Sequence, residues 1–270
     1  MVENKKLVLI TGSSSGLGFE LAKLFAKDGY DVAMSGSSDR IYDSAKEIEK
    51  LGVETYPFQA DASTYDGVED FWRFVENKNR TVDAAVLNVG ISIGGAFLEN
   101  DLDEELKLID INISGMVHMA KRVSQHMAKN KSGDILIVSS LSATLPTPYE
   151  TVYGPSKAFG FMFAEALREE LKEKNINVTA MLPGATNTDF HHNAGMDATY
   201  FGDENHKNDK VLVAEQGYEA LKNKIDHVVC GDEATKKRLK KIEKQLKMLK
   251  QLDMQQKRNH NNINILLASI

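Results

Sequence analysis

Tyr149, Tyr153 and Lys157 lie in the stretch "YETVYGPSKAFGF", residues 149–161, each four positions from the next. Residues at i and i+4 share a helical face, with Cβ atoms roughly 6 Å apart. Of the two pairs, only Tyr153 and Lys157 set a phenol beside an ammonium. Pro155 decides which tyrosine sits on a helix, because proline is tolerated in a first helical turn and breaks an interior. Tyr149 then falls at or before the cap, while Tyr153 and Lys157 occupy the first turns. A free phenol titrates near pH ~10, too high for proton exchange in neutral water. A lysine charge about 5 Å away, at an effective dielectric of about 20, is worth roughly 3 kcal/mol, or about two pKa units. The expectation is a general acid–base pair working at about pH 7 to 8. A Tyr/Lys pair of this spacing also arises by chance on solvated helices, so its meaning depends on the elements that position it.

The first such element is a glycine turn. In "LVLITGSSSGLGFE", Gly12, Gly16 and Gly18 stand between an apolar run and an amphipathic stretch, spaced G-x-x-x-G-x-G. Turns without side chains let backbone N–H groups approach a pyrophosphate, and a helix N-terminus favours its negative charge. Ser13, Ser14 and Ser15 offer hydroxyl donors. The end of the second apolar run reads "SGSSDR", with Gly36 where a carboxylate would bind the ribose 2′-hydroxyl of NAD. Ser37, Ser38 and Arg40 suit a 2′-phosphate instead, and Asp39 reads as a helix cap. The expected cofactor is therefore NADP(H) in preference to NAD(H).

Apolar runs at 7–11, 31–36, 53–61, 82–90, 134–140, 177–184 and 227–231 alternate with helical patterns such as "GFELAKLFAKDG" and "SDRIYDSAKEIEKLG". Strands that are apolar throughout, each followed by a helix, predict a parallel sheet covered on both faces. The fold class is α/β: a doubly wound, Rossmann-like, mainly parallel sheet of about seven strands. The composition breaks near residue 232. Residues 236–258 hold ten Lys/Arg and two Asp/Glu, a charge of +8, so the remainder carries −14 of the net −6. The expected organisation is a Rossmann-type domain over 1–231 and a basic amphipathic extension over 232–270. An acidic body does not favour nucleic acid. Cys230 is the single cysteine, which suits a reducing compartment, and the opening apolar run is too short to span a membrane. A cytoplasmic protein is expected.

"TGSSSGLG", "NVG" (88–90), "SS" (139–140) thirteen residues before "YGPSK", and "PGATNTDF" (183–190) together resemble the short-chain dehydrogenase/reductase superfamily over about residues 5–231. The resemblance implies that Tyr153 donates the proton to a carbonyl and that Lys157 lowers its pKa and binds the nicotinamide ribose. It also implies that Ser140 polarises the substrate carbonyl and that Asn112 holds a water in a proton relay. The interval to Tyr153 selects Ser140 over Ser139. On the cofactor side it implies contacts from Gly12 to Gly18, Leu17 included, and from Asp61 with Ala62 at the adenine. Asn88, Val89 and Gly90 would flank the cofactor, and Pro183, Gly184, Thr186 and Thr188 would line the nicotinamide carboxamide. Val89 replaces the more usual alanine. Neither Ser15 nor Ser37 is the basic residue that many NADP-preferring relatives carry.

The implied activity is hydride transfer between nicotinamide and a small-molecule carbonyl or alcohol. The competing reading is a catalytically weak dinucleotide sensor or scaffold of the same fold. His191 and His192 lack a third ligand at a recognised spacing, so no metal site is expected and they read as part of a solvated loop. His118 and His126 read as ordinary helix residues. "AFGFMFA" (158–164) is apolar around the whole helix. With the pattern 102–130 it predicts a homodimer or homotetramer through helices near 102–130 and 155–172. Leu239, Ile242, Leu246 and Leu249 stand at heptad spacing between lysines, and predict an amphipathic helix docked on the body or on a partner subunit, the alternative being attachment of this basic tail to a membrane surface or nucleic acid. Segments 91–100, 141–149 and 190–210 would shape the substrate pocket, without a dominant charge.

Overall fold

In the computed structural model, residues 5–196, 206–237 and 240 are described. Each expected apolar run overlaps a strand, β5 and β6 beginning one residue earlier than expected: β1 (Leu7–Ile10), β2 (Asp31–Gly36), β3 (Thr55–Gln59), β4 (Ala84–Leu87), β5 (Gly133–Val138), β6 (Ile176–Pro183) and β7 (His227–Cys230). They form one sheet in the order β3-β2-β1-β4-β5-β6-β7, and every pairing is parallel. Parallel neighbours need long crossovers, and helices supply them. These are α1 (Gly16–Lys27), α2 (Arg40–Glu49), α3 (Tyr65–Glu76), α4 (Leu102–Ile109), α5 (Met116–Asn130), α6 (Tyr153–Leu171), α7 (Phe190–Asn193) and α8 (Lys210–Lys222).

Alternation along each strand splits the core into two layers. Leu7, Leu9, Ala85, Leu87, Ile135 and Ile137 face α3, α5 and α6. Val8, Ile10, Ala84, Val86, Leu136 and Val138 face α1, α2 and α8. Both faces are apolar because both are covered, which is why the strands read as unbroken apolar runs rather than alternating ones. Cys230 is fully buried in the second layer.

Three local readings change. Asp39 stands at the N-cap of α2, but its backbone is already helical and its side chain makes no capping bond. The caps with side-chain bonds are Thr64 on α3, Asp101 on α4 and Asp209 on α8, all in extended backbone. The pattern at 102–130 is not one α-helix, because a π-helical turn over Asp110–Gly115 separates α4 from α5. Finally, His118 and His126 have specific partners. His118 lies 2.8 Å from the buried Glu69 carboxylate, which also accepts from Arg122 at 2.9 Å. His126 accepts from the Val82 amide at 3.1 Å, and burial lowers its pKa.

The chain divides into two units, Met1–Gly231 and Asp232–Ile270. The second opens with helical residues 233–237. The heptad positions Leu239, Ile242, Leu246 and Leu249 and the apolar segment 262–270 lie outside the described residues. Among the described residues no helix is long and apolar enough to cross a membrane.

Candidate active site

The sheet order reverses between β1 and β4, and loops from β1, β4, β5 and β6 meet above the carboxyl ends of those strands. In open parallel sheets this crevice receives ligands. Its floor is the turn after β1. Gly12 and Gly16 have φ of 65° and 57°, a region that favours glycine. A Cβ on Gly18 would lie 2.3 Å from the Gly12 carbonyl oxygen and 2.5 Å from Asn88 Nδ2. Asn88 explains the crowding: its Nδ2 donates to the carbonyls of Thr11 (3.0 Å) and Gly12 (2.8 Å), tying the β4 loop to the glycine turn.

The three serines of the turn divide. Ser13 is fully buried and its hydroxyl donates to Ile10 at 3.2 Å, so it stiffens the turn instead of reaching outward as the sequence suggested. Ser14 and Ser15 stay partly exposed. Ser15 occupies the N-cap of α1 and makes no side-chain capping bond, leaving first-turn amides for another acceptor. Leu17 packs on the second core layer. The crevice floor fits a dinucleotide on two counts: its glycines let the β1 and β4 loops pack so closely that backbone, not side chains, forms the floor, and the first-turn N–H groups of α1 lack a side-chain cap.

At the end of β2, Ser37, Ser38 and Arg40 are exposed. Arg40 Nη1 lies 3.5 Å from Asp189, from the loop after β6. A Cβ on Gly36 would come within 3.1 Å of Ser14. After β3, Asp61 accepts from the Ser63 amide and hydroxyl at 2.9 and 2.7 Å, bonds that hold its carboxyl below the usual range. The Ala62 carbonyl packs on Gly115, where a Cβ would approach to 2.4 Å. After β6, Pro183 and Gly184 are buried, Gly184 N–H donates to Cys230 and Thr186 Oγ1 donates to the Gly184 carbonyl at 2.8 Å. This segment carries Thr188 to the glycine turn, its Cγ2 lying 3.4 Å from where a Gly16 Cβ would be. Val89 touches Gly12 in the same way.

The opposite wall holds titratable groups. Tyr153 begins α6 and Lys157 follows one turn later, each 7% exposed. Lys157 Nζ donates to the Val138 carbonyl at 3.2 Å and lies 5.8 Å from the centre of the Tyr153 ring. A Cβ on Gly90 would sit 2.8 Å from that Nζ, so glycine leaves the lysine its room. Ser139 donates to the Lys157 carbonyl at 2.7 Å and is occupied there. Ser140, the next residue, accepts at its Oγ from Ser142 N–H at 3.1 Å and acts on the Tyr153 phenol, favouring its ionised form. Asn112, in the π-helical turn, accepts from Ile91 N–H at 2.9 Å and donates to the Ile91 carbonyl and to Ser156 Oγ. Both ends of its amide are thereby engaged, and Ser156 in turn donates to the Tyr153 carbonyl at 2.7 Å.

The electrostatics differ from the sequence expectation. Burial pushes the Tyr153 phenol above its ordinary range; the Ser140 hydroxyl pulls it down and Glu150 pushes it up. Burial also pulls the Lys157 ammonium down to about 8. Desolvation therefore outweighs the simple lysine–phenol attraction, because a low-dielectric site disfavours both charged forms. Sequence reasoning gave no role to two neighbours of the phenol, Glu150 and Phe190, and placed His191 in a solvated loop where the structure buries it. Glu150 is buried beside the phenol, the Phe190 ring stands 5.5 Å from that of Tyr153, and His191 is buried with Nδ1 unpartnered. Glu150 lies inside "YETVYGPSKAFGF" and Phe190 inside "PGATNTDF", but nothing local marks either as a neighbour of the phenol. Among the described residues no group of three or more His, Cys, Asp or Glu could hold a metal.

Comparison with known proteins agrees with this geometry. The family model described as short chain dehydrogenase matches residues 6–199. The chain is 32% identical over 184 residues to a probable oxidoreductase, EphD, of Mycobacterium tuberculosis; the match covers 67% of this chain but 31% of that protein. It is 30% identical over 185 residues to the 3-oxoacyl-[acyl-carrier-protein] reductase FabG of Chlamydia pneumoniae, covering 68% of this chain and 75% of the relative. In fold it is similar to a short-chain dehydrogenase from Sphingobium yanoikuyae in complex with NADPH. There the TM-score is 0.78 and the identity 23%, over 83% of this chain and 87% of that one. An NAD+-bound xylitol dehydrogenase gives a TM-score of 0.76 at 19% identity, over 86% of this chain and all of the other. The glycine turn, the seven-stranded parallel sheet and the matched residues lead to one conclusion: the chain belongs to the short chain dehydrogenase family of oxidoreductases.

Proposed function

We propose that this protein is an NADP(H)-preferring dehydrogenase/reductase that interconverts a carbonyl and an alcohol, with Tyr153 as general acid and base. The observation that carries the reading is the burial of Ser140, Tyr153 and Lys157 together against the crevice floored by the glycine turn. A bound nicotinamide dinucleotide supplies or accepts the hydride. The turn from Gly12 to Gly18 holds its pyrophosphate, with Ser14 and Ser15 adding donors. Asp61 and Ala62 take the adenine end; Asn88, Val89, Gly90 and the Pro183–Thr188 segment line the rest. Ser37, Ser38 and Arg40 receive the 2′-phosphate, and their exposure at the end of β2 supports this assignment.

The chain's own residues then manage one proton. Ser140 donates to the substrate oxygen and orients it. The Tyr153 phenol, which burial keeps protonated, gives its proton to that oxygen in reduction and takes it back in oxidation. Lys157, in its charged form, stabilises the phenolate left behind. Asn112 fixes the loop at Ile91 and, through Ser156, the first turn of α6, so that phenol and ammonium keep their places. Residues 1–231 form the catalytic domain and 232–270 an accessory extension. Phe159 and Met162 on α6 are 40% and 65% exposed, which supports pairing of subunits through this helix.

The test is a panel of ketones and aldehydes followed at the reduced-nicotinamide absorbance with NADPH and with NADH. Turnover with a higher kcat/KM for NADPH is expected. A strong NADH preference overturns the 2′-phosphate assignment, and dinucleotide binding without turnover across the panel favours the sensor reading.

A further inference from the structure

Glu150 stands apart from the groups used above. The residue is only 5% exposed, and among the described residues one side chain donates to it: Ser92, whose Oγ lies 3.1 Å from Oε1. Ser92, itself 7% exposed, sits on the loop that leaves Gly90, the glycine facing Lys157 and Asn112. Glu150 sits three residues before Tyr153, and its carbonyl accepts from Gly154 N–H at 3.1 Å. The two loops are joined where Gly95 N–H donates to the Tyr149 carbonyl at 2.9 Å. The carboxyl therefore belongs to the wall that carries the phenol, near enough to act on it electrostatically. A carboxyl has about four acceptor positions, and buried polar atoms normally find partners. Serine fills one.

We propose that Glu150, braced by Ser92, is a specificity residue that binds a hydroxyl group carried next to the reacting carbonyl, so that the preferred substrates are α-hydroxy carbonyl compounds. This rests on the reductase reading above. A hydroxyl is favoured over an ammonium by chemistry. Burial drives this acid toward its neutral form, and a hydroxyl can donate to the carboxylate or accept from the acid, whereas an ammonium pairs only with the carboxylate.

The experiment uses matched ketones in which a methyl replaces the hydroxyl: hydroxyacetone against butanone, and hydroxyacetophenone against propiophenone. Aminoacetone is a further probe. Any change that Glu150 makes in the acidity of Tyr153 affects both members of a pair, so the ratio of their kcat/KM values isolates the contact. Wild type should favour the hydroxy member, and Glu150→Leu should lower that ratio by about 10- to 100-fold, mainly through KM. Glu150→Gln preserves shape and the Ser92 contact, guards against a folding defect, and should keep part of the preference. A ratio near unity in wild type, a ratio unchanged in Glu150→Leu, or a Glu150-dependent preference for aminoacetone alone overturns the assignment. No turnover of any of these ketones also overturns it, while the wider carbonyl panel judges the reductase reading separately.

Discussion

The two walls of the crevice are built on different physics. The dinucleotide wall is shape: Gly12, Gly18 and Gly90 let neighbouring atoms pack where a Cβ would collide, Gly16 takes a positive φ, and Asn88 stitches the loops with bonds to Thr11 and Gly12. The α6 wall is charge under stress: Tyr153, Lys157 and Glu150 are all buried, and burial opposes the ionised form of each. Shape of the first kind tolerates no added atom. Electrostatics of the second kind respond to pH and to single protons.

The sharpest way to separate the walls is Tyr153→Phe. It removes one oxygen from the charged wall and leaves the glycine turn alone, so kcat should fall by about 10²- to 10⁴-fold with the NADPH dissociation constant unchanged. Near-normal turnover would remove Tyr153 from its role. Gly18→Ala does the converse. Its methyl would overlap the Gly12 carbonyl and Asn88, so the turn must open; NADPH affinity should fall by about 10-fold or more, and the fold should lose about 1–3 kcal/mol of stability. Titration calorimetry and thermal unfolding read both, and a variant that binds normally would mean that the turn does not hold the pyrophosphate.

Lys157 gives a test with opposite signs for fold and function. Its folded pKa of about 8 lies below the ordinary lysine value, so ionising it costs the native state. That cost is fully present below pH ~8 and disappears as pH rises past the unfolded value of ~10.4. Lys157→Met should therefore raise stability at neutral pH by about 3 kcal/mol while abolishing turnover. In the wild type, NADPH affinity should weaken by about 10-fold as pH rises through ~8 and the ammonium is lost, with the slope absent in Lys157→Met. A flat wild-type profile contradicts the assignment of the lysine to the ribose. The smallest effect is expected at the rim. Arg40 is exposed and shares its charge with Asp189, so Arg40→Ala should lower the NADPH-over-NADH preference by only a few-fold, about 1 kcal/mol or less. No change in the ratio would move 2′-phosphate recognition to the serines.

Much of this was legible in the chain. Val8 and Leu9 read alike in sequence and face opposite layers, and that ambiguity does not harm the strand assignment because both layers are apolar. Gly12, Gly16 and Gly18 declared a turn that needs room, and Pro155 set the start of α6 within two residues of Tyr153. The misreadings share a cause. Ser13 looked like a ligand donor until the packing buried it against Ile10 and Ser35. His118 read as an ordinary helix residue until α3 brought Glu69 to it. The π-helical turn at Asn112 leaves no mark in the apolar periodicity.

Local order and composition determined the alternating elements, the parallel sheet and the identity of the phenol–ammonium pair, because helix starts, glycine turns and apolar runs depend on neighbours a few residues away. How acidic that phenol is, and that Glu150 and Ser92 share its wall, depended on residues tens of positions apart. Burial and Coulomb terms are set by three-dimensional surroundings, so only the tertiary structure could decide them.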